Sequence, residues 1–364
     1  LMLRSKLYHC IRNHFAEHGF VEIETPLLVR YTPGGARNFL VPSRLHPGSF
    51  YALAESPQLF KQLLMVAGFD RYVQIVKCFR DEDLRGDRQP EFTQIDVEMS
   101  FVSEDDIFEV IEELIVKVWR EVLGVDLERD YPPVRGNDGI TRRFPRLSYA
   151  ESMRRFGNDK PDMRFGLEHV DLTNLLIDHR GGGIPPLQAI ASKFEEGLYR
   201  RDLPEEILKA IRIPKNLAQT VSRSELERLE ELVRSMGSQG LARAKVGAGG
   251  SWQQSPWARF AEASFVAAVN AACQAEEGDL LLFQFGKESL VQTVMSHLRL
   301  HLGKRLGLIP PVGARTPTPP QGQWSFLWVV SPPLFERGED GLSWVAAHHP
   351  FTRPHDACLP YLES

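Results

Sequence analysis

Phe79-Arg80-Asp81-Glu82, a charged loop, then Arg88-Gln89-Pro90-Glu91-Phe92-Thr93-Gln94-Ile95-Asp96-Val97-Glu98-Met99 is the stretch whose reading decides the fold. In its second half Ile95, Val97, Met99 and Phe101 interleave with Gln94, Asp96, Glu98 and Ser100. That is an apolar face and a polar face at the two-residue period of a strand. Tyr72 to Phe79 upstream is strand-like too. Two strands joined by a charged loop predict an antiparallel hairpin whose long connection can close over a ligand on the sheet. Alone, the loop reads as a solvated tip in which Asp81, Glu82, Asp83, Arg85, Asp87 and Arg88 balance one another. That leaves Gln94, Asp96 and Glu98 unexplained, because buried polar groups need partners. A polar sheet floor suits a small charged ligand better than a packed core.

Working outward, Leu3, Leu7, Ile11 and Phe15 recur every four residues and Gly19 stops the helix they predict. Phe20 to Glu24 then reads as a strand ending at Pro26. Ser56 is placed to cap a second helix whose first residue is Pro57 and whose stop is Gly68. Beyond the hairpin, Ile107, Val110, Ile111, Leu114, Ile115 and Val118 mark an amphipathic helix with Ser103 as cap and Gly124 at its end.

Three regions follow from texture. Residues 1–167 are dense in patterned elements. Residues 168–320 read as an inserted domain: a charge-rich helix from Ser222 to Ser235, glycine clusters at 181–183 and 247–250, a strand at Leu280 to Phe283, and a Pro-rich linker over 309–323. Residues 321–364 return to a strand (Phe326 to Val330) and a His-rich turn.

A length of 364 residues accommodates two domains, and 43% apolar with 25% charged residues is ordinary for a globular chain. A net charge of −5 argues against a general nucleic-acid coat but leaves room for a local basic groove. Cys10, Cys78, Cys273 and Cys358 are scattered without zinc spacing, which points to a reducing compartment and no protein-held metal. No apolar run is long enough to span a bilayer, so no membrane partner is expected. The chain opens Leu1-Met2 inside a helical pattern, so its natural start is expected upstream.

The F-R-x-E, loop, R-x-x-x-F arrangement of Phe79–Glu82 and Arg88–Phe92 resembles the second signature motif of the class II aminoacyl-tRNA synthetases. The words FRDEDLRGDRQPEFTQIDVEMSF and SPQLFKQLLMVAGFDRY resemble the aspartate enzymes of bacteria and mitochondria nearly letter for letter. The resemblance runs along almost the whole chain. It implies an α+β fold: an antiparallel sheet flanked by helices, carrying an inserted α+β domain of the bacterial type. It implies an aspartate–tRNA ligase that consumes ATP with Mg²⁺, charges tRNA with L-aspartate, and works as a homodimer through the helix and strand of residues 4–26. The implied location is the cytoplasm, or the mitochondrial matrix for an organellar member.

Residue by residue, the resemblance implies that Arg80 clamps the α-phosphate and the reacting carboxylate, a task suited to a planar, permanently charged fork of donors. Glu82 accepts from the adenine amino group, Phe92 stacks on the base, and Asp81 and Gln89 complete the ATP set. Lys61 reads the side-chain carboxylate of aspartate with Gln58, three residues away on the same helix face, and with Ser56. Asp96 holds the ammonium. His348 and His349 form the family's histidine turn near the amino acid. Lys61 argues against a lysine substrate, which its charge repels. Gly286-Lys287 lacks the upstream glycine of a phosphate-binding loop.

The sequence departs from the family at several points. Gly34 stands where many members carry glutamate, Asn38 where aspartate is usual, Glu55 where glutamine is usual, and Ser331 where aspartate is usual. The third motif, with its ATP-binding arginine and late Mg²⁺ carboxylate, and the N-terminal anticodon-binding barrel lie outside these 364 residues. The chain alone is therefore expected to form little adenylate. The alternative is a non-catalytic relative acting as a tRNA-binding or dimerising module.

Overall fold

The computed structural model describes residues 1–31, 36–83, 88–130, 132–136, 139–309, 324–338, 343–347 and 353–361. They form two compact units, Leu1–Val134 with Ala346–Ser364, and Arg135–Val345.

In the first unit, helix α1 (Met2–Glu17) leads into β1 (Val21–Glu22), β2 (Leu28–Val29), β3 (Leu40–Pro42) and β4 (Phe50–Leu53). Helix α2 (Gln58–Val66), strands β5 (Arg71–Phe79) and β6 (Glu91–Met99), and helix α3 (Glu104–Val118) follow. The hairpin is present: β5 and β6 pair antiparallel from Arg71↔Met99 to Phe79↔Glu91. β1 lies parallel on the other edge of β5, giving the order β1-β5-β6. β2, β4 and β3 form a separate small sheet.

α1 ends as its sequence dictates. The Gly19 N–H donates to Ala16 O at 3.1 Å and the Phe20 N–H to Phe15 O at 2.9 Å, with Gly19 at φ +74°. The left-handed residue turns the chain so that Phe20 packs edge-on against Phe15, ring centroids 4.9 Å apart. α2 ends the same way at Gly68, through Gly68→Met65 and Phe69→Leu64 bonds of 3.0 Å. α3 starts where the Asp106 carboxylate accepts from the Ser103 N–H and Oγ–H, both at 2.7 Å. Past Val118 it widens into one π-helical turn, Trp119–Leu123, before Gly124 closes it at φ +70°.

The sheet's alternation decides what covers each face. Val73, Ile75, Val97 and Met99 point toward α1 and α3, packing with Ile11, Phe15, Phe20, Val110, Leu114 and Val118. Each large apolar side chain buried there contributes roughly 1.5–3 kcal/mol before entropy is counted. The opposite face carries Tyr72, Gln74 and Cys78 opposite Glu98, Asp96 and Phe92, and α2 packs over it.

The second unit is a five-stranded antiparallel sheet in the order His169–Asp171, Glu206–Ile213, Leu280–Lys287, Ala242–Val246, Trp252–Gln253. Ile207, Ile211, Ile213, Leu280 and Leu282 face the helices Arg223–Ser235 and Glu288–Arg305. Leu208, Ala210, Leu281 and Phe283 face the core of Leu176, Leu187, Phe265 and Val269. The Ser222 side chain caps its helix by accepting from the Glu225 N–H. A separate parallel pair joins Arg146–Ser148 to Trp328–Val330.

Several predicted boundaries move. The strand expected over 20–24 pairs only at Val21–Glu22, although the Ile23 N–H still reaches Val73 O at 3.2 Å. β6 stops at Met99, and Phe101 turns out of it at φ 57° and lies fully exposed. α2 begins at Gln58 with Pro57 as its cap, and Ser56 makes no capping bond. The late strand is Trp328–Val330, shorter than Phe326 to Val330. Residues 310–323, most of the Pro-rich linker, lie outside the described residues. Among the described residues no helix is long and apolar enough to cross a membrane.

Candidate functional site

The polar face of the β5–β6 hairpin brings together four of the predicted site residues, Lys61, Arg80, Phe92 and Asp96. A Lys61 side chain on α2 reaches down onto it, its Nζ donating to Asp96 Oδ1 at 3.0 Å and lying 3.1 Å from Glu98 Oε2. The pair is dry: the Lys61 and Asp96 side chains are 11% and 7% exposed, against 31% for Glu98. Asp96 Oδ2 is buried with no hydrogen-bond partner. Gln58, one turn before Lys61, is half-buried, as is Ser56.

Further along the same face, Arg80 leaves the end of β5 with its guanidinium over the Phe92 ring, 5.2 Å from the centroid. Its Nε is buried and has no partner. Backbone bonds fix this corner: Phe79 N–H to Ala54 O at 3.1 Å, Arg80 N–H to Pro90 O at 2.9 Å, and Asp81 N–H to Arg37 O at 2.9 Å. Glu82 pairs with Arg88 at 3.3 Å, Gln89 and Asp81 are exposed, and Phe92 is half-buried. The Glu82–Arg88 pair is the charge balance expected of a hairpin tip; Arg80 takes no part in it.

Between the two groups sits Cys78, whose Sγ–H donates to Gln94 Oε1 at 3.1 Å. Burial pushes its thiol up to about 11, and Asp96 adds to this while Arg80 and Lys61 oppose it. Two buried polar atoms of opposite character, Arg80 Nε and Asp96 Oδ2, thus remain unsatisfied on one sheet face. A buried unsatisfied donor or acceptor costs about 1–3 kcal/mol, which a ligand supplying an acceptor to one and a donor to the other would offset.

The sequence reading missed the residues beneath Asp96. Tyr72, Gln74 and Thr25 are buried and hydrogen-bonded to one another there. A glutamine inside the apolar run Tyr72-Val73-Gln74-Ile75-Val76 was the available signal. Glu98 as a second partner of Lys61 was also not foreseen. Glu55 is occupied structurally, its Oε2 accepting from the Ala36 N–H at 3.1 Å, and Asn38 Nδ2 donates to Leu53 O at 3.1 Å. His348, His349 and Gly34 lie outside the described residues.

The second unit has a groove of about 610 Å³ lined by Lys193, Glu206, Glu230, Ser238 and Gln284, among others. Its polar groups are satisfied internally: Lys193 pairs with Glu206, Glu230 with Arg234, and Ser238 with Gln284. It makes the weaker candidate.

The class II tRNA synthetases (D, K and N) match residues 1–361. The chain belongs to this family. An aspartate–tRNA(Asp/Asn) ligase of Anaeromyxobacter dehalogenans (strain 2CP-1) is 57% identical over 365 residues, covering 100% of this chain and 55% of that protein. One of Aquifex aeolicus (strain VF5) is 44% identical, with 100% and 53% covered. An aspartate–tRNA ligase of Limosilactobacillus reuteri (strain DSM 20016) is 43% identical, with 100% and 54% covered. The chain therefore spans about half the length of the curated relatives it matches. Membership of the class II synthetases accounts for the mixed fold with its antiparallel hairpin.

Proposed function

We propose that the protein is an aspartate–tRNA ligase, joining L-aspartate to ATP as aspartyl-adenylate and passing the aspartyl group to tRNA. One observation carries the reading: a buried lysine–carboxylate pair and an arginine stacked on an aromatic ring share one sheet face, each with an unsatisfied polar atom. The similarity to proteins named aspartate–tRNA ligases supports the same assignment.

In this reading the amino acid lies over Lys61 and Asp96. Lys61 attracts the side-chain carboxylate, and Asp96 Oδ2 accepts from the ammonium. Gln58 and Ser56 border the amino acid, and the resemblance adds His348 and His349 as amino-acid-binding residues. The nucleotide lies toward Arg80, its base on Phe92, with Glu82 accepting from the adenine amino group and Asp81 and Gln89 at the rim. An oxygen of the aspartate α-carboxylate attacks the α-phosphorus, and the bond to the bridging oxygen of the β-phosphate breaks, releasing pyrophosphate. The terminal ribose hydroxyl of tRNA then attacks the activated carbonyl and AMP leaves. Neither step requires a protein nucleophile. Arg80 acts by holding both reactants and neutralising developing charge. Mg²⁺ belongs to the proposal as the companion of the ATP phosphates. Among the described residues no group of three or more His, Cys, Asp or Glu is arranged to hold a metal, and no step here depends on one.

The proposal extends to a homodimer and a bacterial cytoplasm. The exposed apolar residues Leu3 on α1 and Val21 on β1 support a subunit contact there. It also takes residues 168–320 as an inserted domain. In support, the strands Arg146–Ser148 and Trp328–Val330 on either side of it pair with each other, while the five-stranded sheet lies wholly between them.

Aspartate-dependent ATP–pyrophosphate exchange tests the assignment. In an intact version that carries the family's remaining segments, Arg80→Ala should lower it by on the order of 10²–10³-fold, the scale of losing one preorganised donor. Exchange within a few-fold of the parent contradicts the role given to Arg80.

A further inference from the structure

Lys61 brings one positive charge to the hairpin face, and the two side chains that meet it bring two negative ones. Its Nζ donates to Asp96 Oδ1 at 3.0 Å and lies 3.1 Å from Glu98 Oε2. Ionised, the three groups carry one excess negative charge, the wrong sign for taking up an anionic side chain. An aspartate side chain arriving there puts a third carboxylate beside a single ammonium. Charges held out of water persist only when paired, so one of the two acids has to give way.

The structure distinguishes the two acids. The Asp96 side chain is 7% exposed and accepts the hydrogen bond from Lys61. The Glu98 side chain is 31% exposed, and among the described residues Lys61 is the only cation paired with it. Glu98 stands two residues further along β6, on the same face and roughly 7 Å away along the strand. It therefore reaches the ammonium from a different position than Asp96 and has water within reach. Leaving Lys61 restores hydration to Glu98, whereas Asp96 has almost none to recover.

We propose that Glu98 is a specificity-determining residue of the amino-acid site: it occupies the side of the Lys61 ammonium that the substrate's side-chain carboxylate takes, and yields by turning out into solvent. The proposal rests on reading this face as the aspartate site. An ammonium has three N–H donors, and Asp96 keeps one of them throughout. The exchange puts one carboxylate in place of another, so Lys61 stays paired before and after the substrate arrives. A ligand that ends short of Lys61 leaves Glu98 where it is. Glu98 thus competes with carboxylate-bearing ligands alone.

The test is a calorimetric titration of the intact version with a sulfamoyl analogue of aspartyl-adenylate and with its alanyl counterpart, which lacks the side-chain carboxylate. Glu98→Gln keeps the shape and removes the charge; Glu98→Asp keeps the charge and shortens the reach by one methylene. Both should tighten the aspartyl analogue about fivefold, the upper end for a partly exposed ion pair, and leave the alanyl analogue unchanged. Weaker or unaltered binding of the aspartyl analogue to Glu98→Gln overturns the proposal, because Glu98 then supports Lys61 or plays no part. Equal tightening of both analogues overturns it as well. So does a Glu98→Asp variant that binds like the parent, since charge at a distance and not occupancy of Lys61 is then the cause. Failure of the parent to bind either analogue brings down the aspartate-site reading itself, a result distinct from a parent that binds and Glu98 variants that match it.

Discussion

Lys61→Met isolates the charge at the centre of the site. The substitution keeps most of the aliphatic stem against the sheet and deletes the ammonium that serves two carboxylates at 3.0 and 3.1 Å. Asp96 then has neither oxygen paired by a side chain, since Oδ2 lacks a partner already. Breaking a fully buried pair from one side costs about 3–5 kcal/mol. Glu98, 31% exposed, recovers part of its hydration, so the expected loss is about 3 kcal/mol, at the low end. The chain's two compact units need not unfold together, so the readout should be local. Hydrogen exchange of β5 and β6 peptides across a urea series reports the free energy of opening the hairpin itself. Adding Asp96→Asn to Lys61→Met removes the stranded charge and should restore at least about 1 kcal/mol. A single variant within about 0.5 kcal/mol of the parent, the range of ordinary surface changes, refutes the reasoning. So does a loss that Asp96→Asn leaves untouched.

His169 provides a pH prediction in the second unit. Burial, aided by Lys209 and Arg299, lowers its pKa to about 3, so the folded state keeps a neutral ring. The unfolded chain takes up the proton first; the stability contributed is complete above about pH 6.5 and is lost as pH falls from there toward 3, at about 1.4 kcal/mol per pH unit. Urea midpoints followed through Trp252 and Trp257, which lie in that unit's core, should fall across this window in the parent. They should fall less in His169→Leu; equal slopes contradict the assignment. Arg299 is 2% exposed and donates to the carbonyls of Asp162, Phe165 and Gly166 at 3.0, 2.7 and 2.8 Å, with its guanidinium over the Phe156 and Phe165 rings. Arg299→Leu should cost about 3 kcal/mol and open residues 160–167 to limited proteolysis, whereas unchanged cleavage shows that other contacts hold the segment.

The parts of this fold readable in the sequence were those set by local chemistry. Alternation over 92–101 foretold the strand, which ends at Met99, and its two unlike faces, and Gly19 and Gly68 foretold helix stops, which the structure makes with left-handed residues. Where competing contacts decide, the reading slipped. Ser56 has the chemistry of a cap, yet α2 starts one residue later than expected, with Pro57 in the capping position, because the Ala54 backbone is still paired to Leu27 and Phe79. The apolar stripe predicted for α3 is too narrow, since Glu112 and Val116 are buried as well, so the helix is covered on more than the sheet side. Of the site, Lys61, Arg80, Phe92 and Asp96 fall on one face, and a resemblance at those residues put them within reach. The Thr25–Gln74–Tyr72 column was invisible for a physical reason. Its three members come from two segments and matter only once the register sets Gln74 opposite Asp96.

The central claim is that the buried Lys61 selects an anionic side chain on this face. Titrating the protein with non-hydrolysable aspartyl-, asparaginyl- and lysyl-adenylate analogues measures that selection directly. The account predicts that the aspartyl analogue binds at least 100-fold tighter than the lysyl one, about 2.7 kcal/mol, and that Lys61→Met erases most of the difference. Comparable affinities for all three, or a preference that survives the loss of Lys61, would contradict it.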